Sequence, residues 1–313
     1  MKKITYGLVY GMAYGISLLP FGVLYLLSDF LFLIVYYIVG YRRKVVVKNL
    51  KASFPEKSEQ EQKAIERQFY HWFCDYIVET IKLLSISNDK LLRHIEFRGV
   101  EEIEKAFARG QNCSALLGHY CNWEWLSATG LAFKRYPQAV MGLIYHPLYS
   151  EVFDQLFVKL RSTHGGVCVP KKDILRYLVT YKREDRRTLF GYISDQAPWW
   201  TNIHLWLDFM NQETPVFTGG ERIMRKMNET VFYLDMERPC RGKYICTFRL
   251  MAPEAAKTEE YDLTKQFFKM LEQSIRRQPP FYLWTHDRWK RTHAEFDKRY
   301  EVIDGRIYER KDK

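Results

Sequence analysis

From Ile4 to Ser28 the chain runs 25 residues without a charged side chain, carries Asp29, and is uncharged again from Phe30 to Gly40 before the basic run Arg42-Arg43-Lys44. A bilayer-crossing helix needs about 20 apolar residues at about 1.5 Å rise each, so the first stretch is long enough and the second is too short. Pro20 and the Ser28-Asp29 pair interrupt the pattern. It fits one spanning helix followed by an interfacial one, or a re-entrant hairpin that dips into one leaflet and returns. Lys2 and Lys3 on one flank, with Arg42, Arg43, Lys44 and Lys48 on the other, place both ends and the body on the cytoplasmic side. A cleaved signal peptide is the competing reading, but its apolar core would be much shorter. Residues 1–44 therefore read as a membrane anchor and 45–313 as one further domain.

Beyond the anchor the pattern changes. Ile65, Phe69, Trp72, Phe73, Ile77 and Ile81 recur at three- and four-residue spacing after Pro55-Glu56-Lys57-Ser58, which predicts a helix with a core-facing stripe. Short apolar runs then alternate with helical stretches. Cys113–Gly118, Ala139–Tyr145, Gly166–Val169, Thr188–Ser194, Val231–Met236 and Tyr244–Leu250 read as buried strands, and Glu151–Leu160 and Asp173–Tyr181 as helices between them. The succession predicts an α/β fold, a mixed sheet flanked by helices, with reactive groups where strand ends give way to loops.

Composition narrows the chemistry. Of 313 residues, 47% are hydrophobic and 27% charged, which excludes disorder and a disulfide-stapled mini-protein. A net charge of +11 attracts phosphates, anionic lipids or acidic proteins. Beside an apolar N-terminus, that excess points to a membrane surface and away from nucleic acid. The six cysteines form no C-x-x-C pair, and no H-E-x-x-H or glycine-rich phosphate loop occurs, so no metal or nucleotide cofactor is expected.

The stretch Ser114 to Trp125 carries the chemistry. An apolar strand runs into Gly118, a turn-permissive residue, and delivers His119 to its exit, while Asn122 is placed to cap a helix starting at Trp123. Glu124 falls in the first turn of that helix. If the turn folds back, its carboxylate faces the imidazole, fixes the tautomer and leaves the other ring nitrogen to take a proton from a hydroxyl. Such a pair is a base without its own nucleophile, so the acceptor would supply the attacking oxygen. Backbone amides at the helix start would help hold the developing oxyanion.

These residues resemble a family. The H-x-x-x-x-[DE] motif of His119 and Glu124 behind a hydrophobic anchor looks like the lysophospholipid acyltransferase superfamily, specifically the late acyltransferases of lipid A biosynthesis in Gram-negative bacteria. Four further blocks match in order. They are Arg42 to Leu50 with Phe54-Pro55-Glu56; His146-Pro147-Leu148-Tyr149 with Leu160-Arg161-Ser162 and Gly165-Gly166; Ser194-Asp195-Gln196; and Tyr282 to Lys290. The resemblance implies a glycerolipid-acyltransferase-like fold at the cytoplasmic face of the inner membrane. It implies transfer of an acyl chain from an acyl-carrier-protein thioester to a hydroxyl of a lipid A precursor or related glycolipid, without cofactor. His119 would be the general base and Glu124 its orienting partner, with Arg161 and Asp195 as substrate-binding or structural supports. An aminoacyl lipid or another glycolipid is an alternative acceptor.

Cys121 stands where the family pattern has a small residue, and a thiol two residues from a histidine raises a thioester hydrolase as the rival enzyme. Asn211 to Gly220 departs from the family's glycine- and alanine-rich segment. Lys171, Lys172, Arg176, Lys182, Arg183, Arg186 and Arg187 form the densest basic neighbourhood, either a docking patch for the acidic carrier protein or a solvated helix face. Trp199, Trp200 and Trp206 either enter the membrane interface or pack in a core.

Overall fold

The computed structural model describes residues 2–303 and 305–310; the side chains of Lys2 and Lys3, expected to flank the anchor, lie outside the described part. The chain begins with α1 (Lys2–Ser17), α2 (Phe21–Phe32, continued by a π-helical stretch Leu33–Val39), α3 (Arg43–Ser53), α4 (Glu59–Lys82) and α5 (Asn88–Leu92). Then follow β1 (Ile95–Arg98), α6 (Val100–Ala108), β2 (Cys113–Leu117), a 3₁₀ segment (Trp123–Ala132), β3 (Val140–Tyr145), α7 (Glu151–Ser162), β4 (Val167–Pro170), α8 (Ile174–Arg183) and β5 (Thr188–Ile193). The rest is β6 (Trp206–Phe209), β7 (Gln212–Pro215), α9 (Gly219–Met227), β8 (Thr230–Cys240), β9 (Lys243–Ala252), α10 (Asp262–Arg277), α11 (His293–Arg299), β10 (Tyr300–Ile303) and β11 (Arg306–Glu309). The expected mixed α/β architecture is present, and each strand expected from an apolar run is found.

Seven strands form one sheet in the order β1-β9-β8-β2-β5-β3-β4. From β8 to β4 the neighbours are all parallel, and the antiparallel β8–β9 hairpin reverses the last two strands. The carboxyl ends of β2, β5, β3 and β4 therefore open on one edge. β2 is buried at every position, as a strand covered on both faces should be. The hairpins β6–β7 and β10–β11 stand apart, with Trp200, Phe296 and Tyr300 stacked between them.

The N-terminus differs from its expected reading in one physical respect. Helix α2 runs straight through Ser28-Asp29, and the break falls at Leu18–Pro20, so among the described residues the helix long and apolar enough to cross a membrane is Phe21–Val39, not the stretch from Ile4. Asp29 is tolerated because Arg241, at the tip of the β8–β9 hairpin, binds it at 2.7 Å, and Ser28 because it donates to Asp75 Oδ1 at 2.6 Å. Leu24, Ser28, Phe32 and Tyr36, four residues apart, form the buried stripe of this helix. That stripe lies antiparallel along α4: Tyr25 reaches Glu79, Ser28 reaches Asp75, and Phe32 stacks on His71.

Helix α4 is capped by Ser58 and Glu61 in a reciprocal capping box. Its Phe69 and Trp72 are buried as expected, and α1 and α2 cover a second side, so its later turns are enclosed nearly all round.

Candidate active site

Register alone brings the first two groups together. In the parallel β2–β5 pair Leu117 lies opposite Ile193, and the Ser194 amide donates to the Leu117 carbonyl at 3.1 Å. Two residues further on each strand stand His119 and Asp195. The Asp195 carboxylate accepts from the His119 backbone N–H at 3.0 Å and lies 2.7 Å from its Nδ1. Gln196 places its amide nitrogen 3.2 Å from His119 Nε2, on the cavity side. A carboxylate at Nδ1 and a donor at Nε2 together select the imidazole protonated on Nδ1, whose Nε2 lone pair accepts from Gln196.

The expected pairing of Glu124 with His119 is thus corrected: the imidazole's carboxylate partner is Asp195. Glu124 does sit in the first turn after Asn122, but that turn starts a 3₁₀ segment which carries its side chain toward α7. There Arg161 grips it with two parallel bonds, Nε to Oε2 and Nη2 to Oε1, each 2.7 Å, and the Tyr76 hydroxyl donates at 3.4 Å. Arg161, expected as a substrate-binding or structural support, thus commits its planar fork to Glu124.

Electrostatics follow from burial. Burial pushes the Asp195 carboxyl up, but His119, through charge and two hydrogen bonds, outweighs it and leaves the group below its ordinary value. Burial likewise opposes the Arg161 charge, and Glu124 more than offsets it. His286 packs behind Asp195 and is pushed down to about 4, by burial first, so it stays neutral. Its Nε2 accepts from the Ala197 amide at 3.4 Å.

The turn between β2 and the 3₁₀ segment is pinned from outside. Cys121 N–H donates to the Phe281 carbonyl at 2.8 Å and Leu283 N–H to the His119 carbonyl at 3.0 Å, so Phe281–Leu283 lies across the turn like a short strand. Gly118 is not the left-handed residue of this turn; Cys121 is, at φ 51°. That backbone explains why a small residue suits position 121. Gly118 serves packing, because a Cβ there would stand 2.7 Å from Leu271 of α10. The Cys121 thiol is fully buried and pushed far up by desolvation, which removes it as a nucleophile.

Two blocks of the sequence meet here. Asn49 donates to the carbonyls of Trp284 and His286, both at 2.9 Å, and Arg42 donates to that of Thr285 at 3.1 Å. The segment after the apolar N-terminal helices therefore braces the C-terminal block, which braces the turn.

His119, Glu124, Arg161 and Gln196 line a cavity of about 590 Å³ at the carboxyl edge of the sheet. Its inner wall is apolar, built from Leu126, Met141, Leu143, Gly191, Phe217 and Leu234. Lys171 and His146 line it too. The seven-residue basic neighbourhood is not one surface. Helix α8 spans about 15 Å and separates Lys171, Lys172 and Arg176 at the cavity end from the residues leading into β5, where Arg187 is tied to Asp185 and to the Phe107 carbonyl. Of the tryptophans, Trp200 and Trp206 stack on Tyr300 and His293, whereas Trp199 is exposed. Among the described residues no group of three or more His, Cys, Asp or Glu could hold a metal ion.

Gln196, Tyr76, Tyr282 and His286 were not foreseen as site residues. Gln196, Tyr282 and His286 lay inside blocks singled out in the sequence, but only the fold shows what they face.

Comparison with the curated proteins finds no match. Comparison with family models does: residues 1–291 match the bacterial lipid A biosynthesis acyltransferases, almost the whole chain. The chain belongs to that family, and is accordingly an acyltransferase.

Proposed function

We propose that the protein moves a fatty acyl chain from an acyl-carrier-protein thioester to a hydroxyl of a lipid A precursor, with His119 as general base. The observation that carries this reading is the Nε2 of His119, unprotonated in the selected tautomer and facing a cavity whose inner wall is apolar. Nε2 takes the proton of the acceptor hydroxyl as its oxygen attacks the thioester carbonyl; the carbon–sulfur bond breaks and the carrier thiol leaves with the proton. Asp195 holds the ring and offsets the imidazolium charge. Gln196 must yield its place at Nε2 to the acceptor hydroxyl. The apolar wall suits the acyl chain, and backbone amides at the start of the 3₁₀ segment are the nearest candidates to hold the oxyanion. Glu124 and Arg161 shape the wall between them.

Residues 1–44 would serve as the membrane-contacting part and 45–313 as the acyltransferase domain, at the cytoplasmic face of a Gram-negative inner membrane. Because α2 is tied along α4, whose facing stretch carries Glu66, Arg67, Asp75 and Glu79, a perpendicular crossing would drag charge into hydrocarbon. We therefore favour a helix pair lying in one leaflet.

The test is turnover of acyl-carrier thioester with a lipid A precursor in vesicles, read as free thiol and product mass. His119→Ala should lose on the order of 10² to 10⁴ in rate while folding and binding vesicles normally. Wild-type turnover by that variant would end the proposal. Charge reversal at Lys171 and Lys172 should raise the KM for the carrier substrate in a salt-dependent way if the acidic carrier docks there.

A further inference from the structure

We infer that the loop after β3 and the first turn of α7, presenting Leu148, Tyr149 and Phe153, form a second lipid-inserting site at the rim of the cavity, matched to an anionic phospholipid leaflet. Tyr149 stands fully exposed, and Leu148 and Phe153 are about half exposed, at 46% and 50%. This is not a loose tip. The Leu148 amide donates to Asp154 Oδ1 at 2.8 Å, which holds the loop against the start of α7 with its apolar side chains outward. Leaving such side chains in water is costly, and a leaflet removes them from it.

The position of the loop singles out the occupant. Helix α1 packs against α7. Lys82 and Ser85 donate to the carbonyl of Ser17 at the end of α1, and His164, just past α7, bonds Asn88 and the Leu83 carbonyl, so both helices finish at the same 82–88 segment. They therefore run side by side in the same direction, which places Tyr149 and Phe153 beside the first half of α1. There Ile4, Leu8 and Met12, four residues apart, form an exposed apolar stripe. The loop extends that stripe on the cavity side.

Charge agrees with geometry. Lys171, which lines the cavity, and Lys172 are exposed where β4 ends, on the same sheet edge as the loop that follows β3. Aromatic and aliphatic side chains projecting beside lysines suit the boundary between headgroups and acyl chains of an anionic leaflet. Leu148 itself lines the cavity, so inserting this loop opens the cavity directly to the acyl layer. The inference stands whether or not His119 is the base.

Depth-resolved fluorescence tests it in the full chain. With the exposed Cys240 replaced by Ser, Tyr149→Cys carries an environment-sensitive label, Leu8→Cys reports the α1 stripe, and Arg109→Cys reports the opposite end of the sheet. On vesicles of phosphatidylethanolamine and phosphatidylglycerol containing spin-labelled lipid, the labels at 149 and 8 should shift to the blue and be quenched, and the label at 109 should not. Tyr149→Asp combined with Phe153→Asp should melt as the parent and bind vesicles roughly 10- to 100-fold more weakly. A label at 149 as accessible to water as that at 109 would overturn the inference. So would protection that rises with protein concentration without lipid, which marks a second copy, or that requires acyl-carrier protein, which marks a protein dock.

Discussion

Replacing Asp195 by Asn exchanges one oxygen for an amide nitrogen and hardly alters side-chain volume. The wild-type carboxylate faces two donors, the His119 backbone N–H and the ring Nδ1–H. Asn offers one acceptor and one donor, so it cannot satisfy both. If its oxygen keeps the backbone amide, its NH₂ faces Nδ1 and favours the ring with the proton on Nε2, which cannot accept a proton from the cavity. Inverting a tautomer in this way costs roughly 10⁴ in kcat in the Ser-His-Asp triad, and a similar loss is expected here. The alternative, a buried donor facing a donor, costs about 1–3 kcal/mol of stability. Because Asp195 is held below its ordinary value, its contribution to stability is present above the unfolded carboxylate range and fades as pH falls through the folded value. The variant should lack that share of the acid-side loss. The assay is kcat for thiol release in reconstituted vesicles, paired with a melting curve. A variant that melts and turns over as the parent refutes the assignment of Asp195 as the orienting group.

Glu124→Gln should melt lower by an amount equivalent to about 3–5 kcal/mol, since it strands the Arg161 charge, and adding Arg161→Met should recover much of that loss; additive losses in this double-mutant cycle would refute the pairing. Glu229, buried and bonded to Ser114, is pushed up to about 7 by desolvation, so folding stability should fall by about 3 kcal/mol as pH rises from the ordinary carboxylate range through that value. Glu229→Gln should flatten the trend in urea midpoints, and a flat parent curve would contradict it. Gly191→Val narrows the apolar wall, so kcat/KM for the longest acyl donors should drop by about 10-fold or more while shorter donors keep theirs. Product mass spectra with mixed donors read this directly, and an unchanged product mixture would separate the cavity from the acyl chain.

Much of the fold was legible because it is local. Buried parallel strands must be short and apolar throughout, and Cys113–Leu117 and Thr188–Ile193 are. Helices between them show their period directly. The N-terminus misled for the opposite reason. Ser28 and Asp29 look like a break when read along the chain, but their partners Asp75 and Arg241 lie 47 and 212 residues away, and those bonds make the polar pair compatible with a continuous helix. Hairpins β6–β7 and β10–β11, outside the main sheet, and the edge strand β1 lack the apolar runs that marked the remaining strands.

The site divides along the same line. Strand exit, turn and capping Asn could be placed from Gly118 to Asn122, since each depends on neighbours in sequence. The partner of the imidazole could not, because a five-residue spacing from His119 to Glu124 says nothing about which side chain crosses a sheet. That pairing depends on β2 and β5 being adjacent and parallel in the register Leu117 to Ile193, whereupon equal offsets deliver His119 and Asp195 to one point. Its traces were two apolar runs placed alike before His119 and Asp195, and the family block that singled out Asp195 without naming its partner. Glu124 then has a different physical task. The turn held by Phe281 and Leu283 aims it at α7, and there it neutralises the Arg161 guanidinium that would otherwise stand uncompensated in the cavity wall. His119 and Glu124 are thus joined through the wall they share, and substitutions at Asp195 and Glu124 should separate into a loss of turnover and a loss of stability.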